Sequence, residues 1–173
     1  ERAYYLPLGH RYDGVPAQLG LEDALGRLRP LLEDPGLPKI GQNLKYDLLV
    51  LRRAGIDLQG VSFDTMIASY LLNPSKASHS LDAMALEHLN YKTTTYADVT
   101  GTGKKQKGFQ EVDIATATNY SGEDADLTLR LKRLLEPKLG EFGLVPLFRD
   151  VEMRLLGVLA DIEFTGVKID AGY

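Results

Sequence analysis

Two short apolar runs, Lys39–Gln42 and Val61–Phe63, each end on a residue able to cap a helix. Asn43 follows the first and Asp64 the second. Behind each cap the apolar residues recur at helical spacing: Leu44, Leu48 and Leu51 after Asn43, and the stretch to Leu72 after Asp64. That repeated strand–cap–helix grammar restricts the chain to an α/β class, in which helices and strands alternate around one core. The rest of the sequence agrees. Leu21, Leu25, Leu28, Leu31 and Leu32 predict a helix that Pro35-Gly36 and Pro38 stop. Further helices are predicted over Leu81–Leu89, Ile114–Leu135 (ended by Pro137) and Phe148–Phe164. Tyr4–Leu8 is expected to be a strand, Lys92–Gly108 a long surface loop, and Val167–Asp170 an extended segment.

Composition excludes several classes. The 173 residues contain no cysteine, so disulfides and thiolate metal sites are ruled out, and His10, His79 and His88 lack zinc-like spacing. No apolar run approaches the roughly 18 residues of a membrane span. The net charge of −4 argues against a basic DNA-coating protein. It is compatible with a nuclease, because bound divalent ions can supply the positive charge that faces a phosphate. The chain lacks an initiator methionine and opens at once on Tyr4–Leu8, so it is expected to be a fragment of something longer.

Two clusters can carry chemistry. In Gly41-Gln42-Asn43-Leu44-Lys45-Tyr46-Asp47, Asp47 falls in a first helical turn just past the carboxyl end of a strand, the edge where open α/β sheets bind ligands. The same position equally suits an acid that merely complements the helix dipole. In Tyr120-Ser121-Gly122-Glu123-Asp124-Ala125-Asp126, Tyr120 and Asp124 share a helix face. A phenol beside a carboxylate can orient a water while the carboxylate holds an ion, or it can simply be a core tyrosine next to a solvated acidic patch. Spacing does not choose among Glu123, Asp124 and Asp126.

Together, Asn43-x-x-x-Asp47 and Tyr120-x-x-x-Asp124 resemble the second and third motifs of the DEDDy exonucleases. Phe63-Asp64-Thr65-Met66 and Glu123-Asp124-Ala125-Asp126 narrow the likeness to the 3′→5′ proofreading domain of bacterial family A DNA polymerases. The stretch from Val151-Glu152-Met153-Arg154-Leu155 to Gly166-Val167-Lys168-Ile169-Asp170 is similar to the entrance of that family's polymerase domain. The resemblance implies a ribonuclease H-like mixed sheet flanked by helices, incomplete at its N-terminal strands. It divides the chain into a partial exonuclease domain, residues 1–145, and the helix and first strand of a polymerase domain, residues 146–173.

It further implies two divalent ions, Mg2+ with Mn2+ as substitute, about 3.5–4 Å apart. Asp47 and Asp124 would be metal ligands, and Tyr120 would align the attacking water. Asn43, helped by Gln42, would contact the 3′-terminal nucleotide. Tyr96 would stack on a base of a single-stranded or frayed 3′ end, unless it is an ordinary loop-anchoring tyrosine. Lys104, Lys105 and Lys107 could attract phosphate but equally read as a solvated loop. The expected products are deoxynucleoside 5′-monophosphates, and the expected setting is a monomeric enzyme of the bacterial cytoplasm with its polymerase domain in the same chain. A first motif of the Asp-x-Glu type is missing. Phe63-Asp64-Thr65-Met66 imitates it, but Met66 stands where Glu is required and the order is wrong, so Asp64 reads as a helix cap. These residues alone are therefore expected to be inactive. The rival readings are a ribonuclease D-type exoribonuclease and a non-catalytic spacer of a polymerase.

Overall fold

The strand–cap–helix grammar folds as a β–α–β–α corner. The computed structural model describes residues 2–170 and 172. Strand β1 (Lys39–Gly41) runs parallel to β2 (Val61–Asp64), pairing Ile40 with Phe63 and Gly41 with Asp64, with an irregularity between Lys39 and Ile40. Helix α2 (Leu44–Arg53) crosses between them, and α3 (Thr65–Leu72) leaves β2 directly. Helix α1 (Leu21–Leu32) precedes this unit. Helices α4 (Leu81–Leu89), α5 (Tyr96–Thr100), α6 (Ile114–Glu141) and α7 (Met153–Thr165) follow it. A π-helical turn, Leu147–Glu152, leads into α7. The only sheet among the described residues is this parallel pair.

One buried acid ties the corner together. Asp64 is 1% exposed. Its Oδ1 accepts from the backbone N–H groups of Met66 (2.8 Å) and Ile67 (3.3 Å), capping α3 as expected. It also accepts from Asn43 N (3.2 Å, on Oδ1) and Leu44 N (2.7 Å, on Oδ2), satisfying the start of α2. Asn43 stands at the N-cap position of α2 but makes no side-chain cap bond. Its backbone is left-handed, φ 58° and ψ 48°, a region that asparagine tolerates better than most residues. The Asp64 carboxylate serves the first two N–H groups of this start, and the Asn43 carbonyl accepts from Tyr46 N at 2.9 Å.

The core forms where α6 crosses this corner. Phe63, Ala68, Met84, Leu131, Leu135, Leu139 and Phe148 make one buried cluster, with the Phe63 and Phe148 rings 4.9 Å apart. That cluster explains why α6 runs past Pro137 instead of stopping there. A proline inside a helix costs about 3 kcal/mol. Leu131, Leu135 and Leu139 recur on one face and are almost wholly buried. Each such leucine contributes about 1.5–3 kcal/mol, so the last turn is carried by its packing.

Two further expectations differ from the fold. Tyr4–Leu8 forms no strand, because no described strand offers it a ladder. The segment is held by side chains instead: the Tyr5 hydroxyl lies 2.6 Å from His10 Nε2, and His10 Nδ1 lies 2.9 Å from the Val112 carbonyl oxygen. The presumed loop Lys92–Gly108 contains α5, started by a reciprocal capping box in which Thr95 and Asp98 each accept from the other's backbone N–H. Val167–Asp170 is non-helical but joins no ladder.

Candidate active site

The parallel corner aims α2 at α6 across a cleft of about 590 Å3. Asp47 borders it from the first turn of α2, Gly41 and Gln42 from the end of β1, Leu81 from α4, and Asp124 and Thr128 from α6. The structure thus brings the two acids of the separate motifs onto one cleft. Burial among packed neighbours raises the Asp47 carboxyl above its usual range, partly offset by its own backbone N–H and reinforced by the charge of Asp64. Asp124 is pushed up to about 6, first by burial and then by the negative charges of Asp82 and Glu123, with the Tyr120 hydrogen bond pulling the other way.

The contacts of the three neighbouring acids on α6 separate them. Glu123 accepts from the Tyr91 hydroxyl at 2.7 Å and from Thr94 N at 3.0 Å, so it anchors the segment leading to α5. Asp126 faces Arg130 on the exposed side, 3.5 Å away. Asp124 alone of the three lines the cleft. Tyr120, one turn earlier, hydrogen-bonds Asp124, and burial beside that carboxylate lifts its phenol to about 12. At neutral pH Tyr120 is therefore a hydrogen-bond donor and not a phenolate base.

The other nominated residues are placed less centrally. Gln42 lines the cleft, but its amide is engaged: Nε2 donates to the His79 carbonyl at 3.0 Å and Oε1 accepts from Thr65 Oγ1 at 2.5 Å. Asn43 opens onto a separate hollow of about 250 Å3 between α2 and α7, beside Lys45 and Glu152. Tyr96, 46% exposed at the start of α5, stacks on Phe109 with centroids 6.0 Å apart. Lys104 and Lys105 lie on an exposed 3-10 turn, Gly103–Lys105, and Lys107 on the loop after it. Two contributors escaped the sequence. Asp82 adds its charge to the cleft from the first turn of α4, behind a Ser80 cap that was the available signal. Phe109, a lone aromatic in a polar stretch, sits against both Tyr96 and Tyr120.

Among the described residues, no group of three or more His, Asp or Glu side chains is arranged to hold a metal ion. Two carboxylates do not by themselves fit a pair of divalent ions. The burial of Asp124 beside the charges of Asp82 and Glu123 has a measurable consequence. Because the folded-state pKa of Asp124 exceeds its ordinary 3.8, the proton it binds favours folding; that contribution is complete below about pH 4 and gone above about pH 6. Asp124→Asn, uncharged and of the same shape, is expected to raise the metal-free unfolding midpoint at about pH 8 and leave it unchanged near pH 4. Equal shifts at both values would place the effect elsewhere.

Residues 9–140 match the 3′-5′ exonuclease domain family of A-type DNA polymerases. The chain belongs to that family. The chain is 45% identical over 172 residues to DNA polymerase I of Pseudomonas aeruginosa, covering 98% of itself and 19% of the relative. It is 42% identical to DNA polymerase I of Rhizobium leguminosarum, covering 98% of itself and 17% of that protein. It therefore spans less than a fifth of these relatives. Among solved structures it is similar to the POL domain of Pol1 from M. smegmatis in complex with DNA primer-template and dNTP (TM-score 0.71, 26% identity), covering 90% of this chain and 24% of that one. It is also similar to Brucella melitensis NrnC (TM-score 0.65, 25% identity), covering 90% of this chain and 68% of that one. These neighbours share the α/β exonuclease architecture expected from the motifs. No helix among the described residues is long and apolar enough to cross a membrane.

Proposed function

We propose that this chain is the proofreading part of a bacterial DNA polymerase I, removing nucleotides from a single-stranded or frayed 3′ end of DNA as 5′-monophosphates. The observation that carries this is the meeting of Asp47 and Asp124, from separate elements, on one cleft, with the Tyr120 hydroxyl bonded to Asp124. Asp47 and Asp124 would contribute two carboxylates to a centre for Mg2+ or Mn2+; among the described residues no third His, Asp or Glu is grouped with them. Ions bound there would supply the positive charge facing the phosphate. Tyr120, protonated at working pH, donates its one hydrogen to Asp124, holding that carboxylate in orientation, and keeps oxygen lone pairs that can accept from a water. Asn43, on the neighbouring hollow, and Tyr96, whose ring touches Tyr120, are the candidates for gripping the terminal nucleotide and a neighbouring base. Gln42, already bonded at both ends, would assist by holding the cleft wall.

Residues 146–173 we assign to the start of the polymerase domain. The family match ends at residue 140, whereas the polymerase relatives match over 98% of the chain. Helix α7 lies on α2, joined by Arg52–Asp161 and Lys45–Glu163 ion pairs of 2.7 Å each. A polymerase so attached would receive primer and template in the same molecule, and a soluble bacterial monomer is the expected setting.

A second reading is an exoribonuclease of the ribonuclease D type, which would share both Asn43-x-x-x-Asp47 and Tyr120-x-x-x-Asp124. Digestion of matched single-stranded DNA and RNA oligonucleotides by the full-length gene product separates the two. DNA is expected to be trimmed from its 3′ end at least about tenfold faster, a difference of about 1.4 kcal/mol in transition-state binding. Equal or faster RNA trimming would favour the exoribonuclease.

A further inference from the structure

The loop that the sequence leaves without a task, between the lysines and α6, ends in a short 3-10 turn at Phe109–Glu111. Its single aromatic ring stands in the middle of a chain of rings. On one side Phe109 meets His10, with centroids 6.1 Å apart, and His10 is 4% exposed. On the other it meets Tyr96 at 6.0 Å, nearly parallel, and Tyr120 at 5.8 Å, tilted by 57°. Tyr96 and Tyr120 also touch each other edge to face at 6.4 Å.

The turn bearing Phe109 is fastened from both directions. Glu111 Oε2 accepts from Gly108 N at 3.0 Å, and Arg11 N donates to the Gln110 carbonyl at 2.6 Å. His10 Nδ1 lies 2.9 Å from the Val112 carbonyl oxygen, and Ile114 N donates to the Tyr12 hydroxyl at 3.3 Å. A ring held in this way has no polar group to offer substrate. What it can do is restrict its neighbours: a tyrosine ring with packed neighbours on two sides swings less about its side-chain bonds.

We infer that Phe109 is a positioning residue for 3′-end excision, holding the Tyr120 ring so that its hydroxyl stays on Asp124 and coupling that orientation to the Tyr96 ring. This rests on the role proposed above for Tyr120. Through His10, the same contact ties the orientation of Tyr120 to the clasp between residues 10–12 and 109–114.

The experiment is a double-mutant cycle in the full-length gene product, with Phe109→Ala, Tyr120→Phe and both together, following excision of single-stranded DNA. Phe109→Ala is expected to lower kcat between about tenfold and a hundredfold, the scale of a misplaced catalytic group, while KM moves less than about threefold. Phe109→Leu, which keeps an apolar contact with His10 and Tyr120, should recover most of the loss, and it carries the same test if alanine loosens the turn. The deciding result is the double variant. Its kcat should be no lower than that of Tyr120→Phe alone, because the effect of Phe109 on kcat runs through that hydroxyl, its contact with Tyr96 bearing on KM. A full additional loss in the double variant, a change confined to KM, or wild-type kcat in both Phe109 variants would overturn the inference. Wild-type kcat in Tyr120→Phe would instead remove the role of Tyr120 on which it stands.

Discussion

Alanine in place of Asp64 is expected to cost about 2–4 kcal/mol of folding free energy, a large share of the stability of a domain this size. The figure follows from the count of donors left behind. Four backbone N–H groups at the starts of two helices lose their acceptor, two through short bonds of 2.7 and 2.8 Å and two through longer ones of 3.2 and 3.3 Å. A single lost helix cap costs about 0.5–2 kcal/mol, and here two caps vanish with one side chain in a place too enclosed for easy replacement by water. The opposing effect is real but smaller. Burial raises the Asp64 carboxyl, so removing it also relieves a desolvation penalty, which the four backbone bonds already offset in large part. Asp64→Asn keeps one acceptor oxygen and should fall about halfway. The check is urea unfolding of the full-length gene product with amide exchange read at Asn43, Leu44, Met66 and Ile67. A loss below about 1 kcal/mol, or faster exchange at Met66 and Ile67 but not at Asn43 and Leu44, would show that the corner is not held by this one carboxylate.

Why so much of this corner was legible in the sequence, and why its details were not, comes down to the range of the interactions. Helix α2 and helix α3 follow from local periodicity, and the Asp64 cap of α3 is a bond across two or three residues. The second cap, from Asp64 to Asn43 and Leu44, spans about twenty positions and depends on β1 and β2 pairing in a particular register. Pro137 misled for the same reason. Its local cost is visible in the sequence, whereas the burial of Leu139 that outweighs it is a property of the assembled core. Tyr4–Leu8 has strand-like residues, but a strand exists only where another offers hydrogen bonds.

The candidate site divides along the same line. Asp47, Tyr120 and Asp124 were nominated by motif, and the α6 face shared by Tyr120 and Asp124 follows from helical spacing. That Glu123 turns to Tyr91 and Thr94, and Asp126 to Arg130, is tertiary or surface detail that spacing cannot rank. Helix α5 was the avoidable omission. Its Thr95-x-x-Asp98 capping box is local, and a polar, Gly- and Lys-rich setting concealed it. Phe109 had no such signal, since nothing in its immediate sequence says which rings it will meet.

Asp47→Ala and Asp124→Ala in the full-length gene product are each expected to lower 3′-end excision by roughly 10³-fold or more, because a lost metal-holding carboxylate removes several kcal/mol of transition-state charge stabilisation. Binding of single-stranded DNA should change little, since neither residue is a stacking or phosphate-gripping group. The same reasoning makes the 173-residue chain its own control. It holds Asp47 and Asp124 on one cleft, but no third His, Asp or Glu among its described residues joins them. Two carboxylates compete poorly with water for a pair of strongly hydrated ions. Offered Mg2+ or Mn2+, the chain alone should therefore sit at the same floor as the Asp124→Ala enzyme, and adding Asp124→Ala to it should change nothing further. Robust trimming by the 173 residues that disappears on Asp124→Ala would mean that a donor within this chain completes the centre, with Asp82, already close enough to raise the Asp124 carboxyl, the first to substitute.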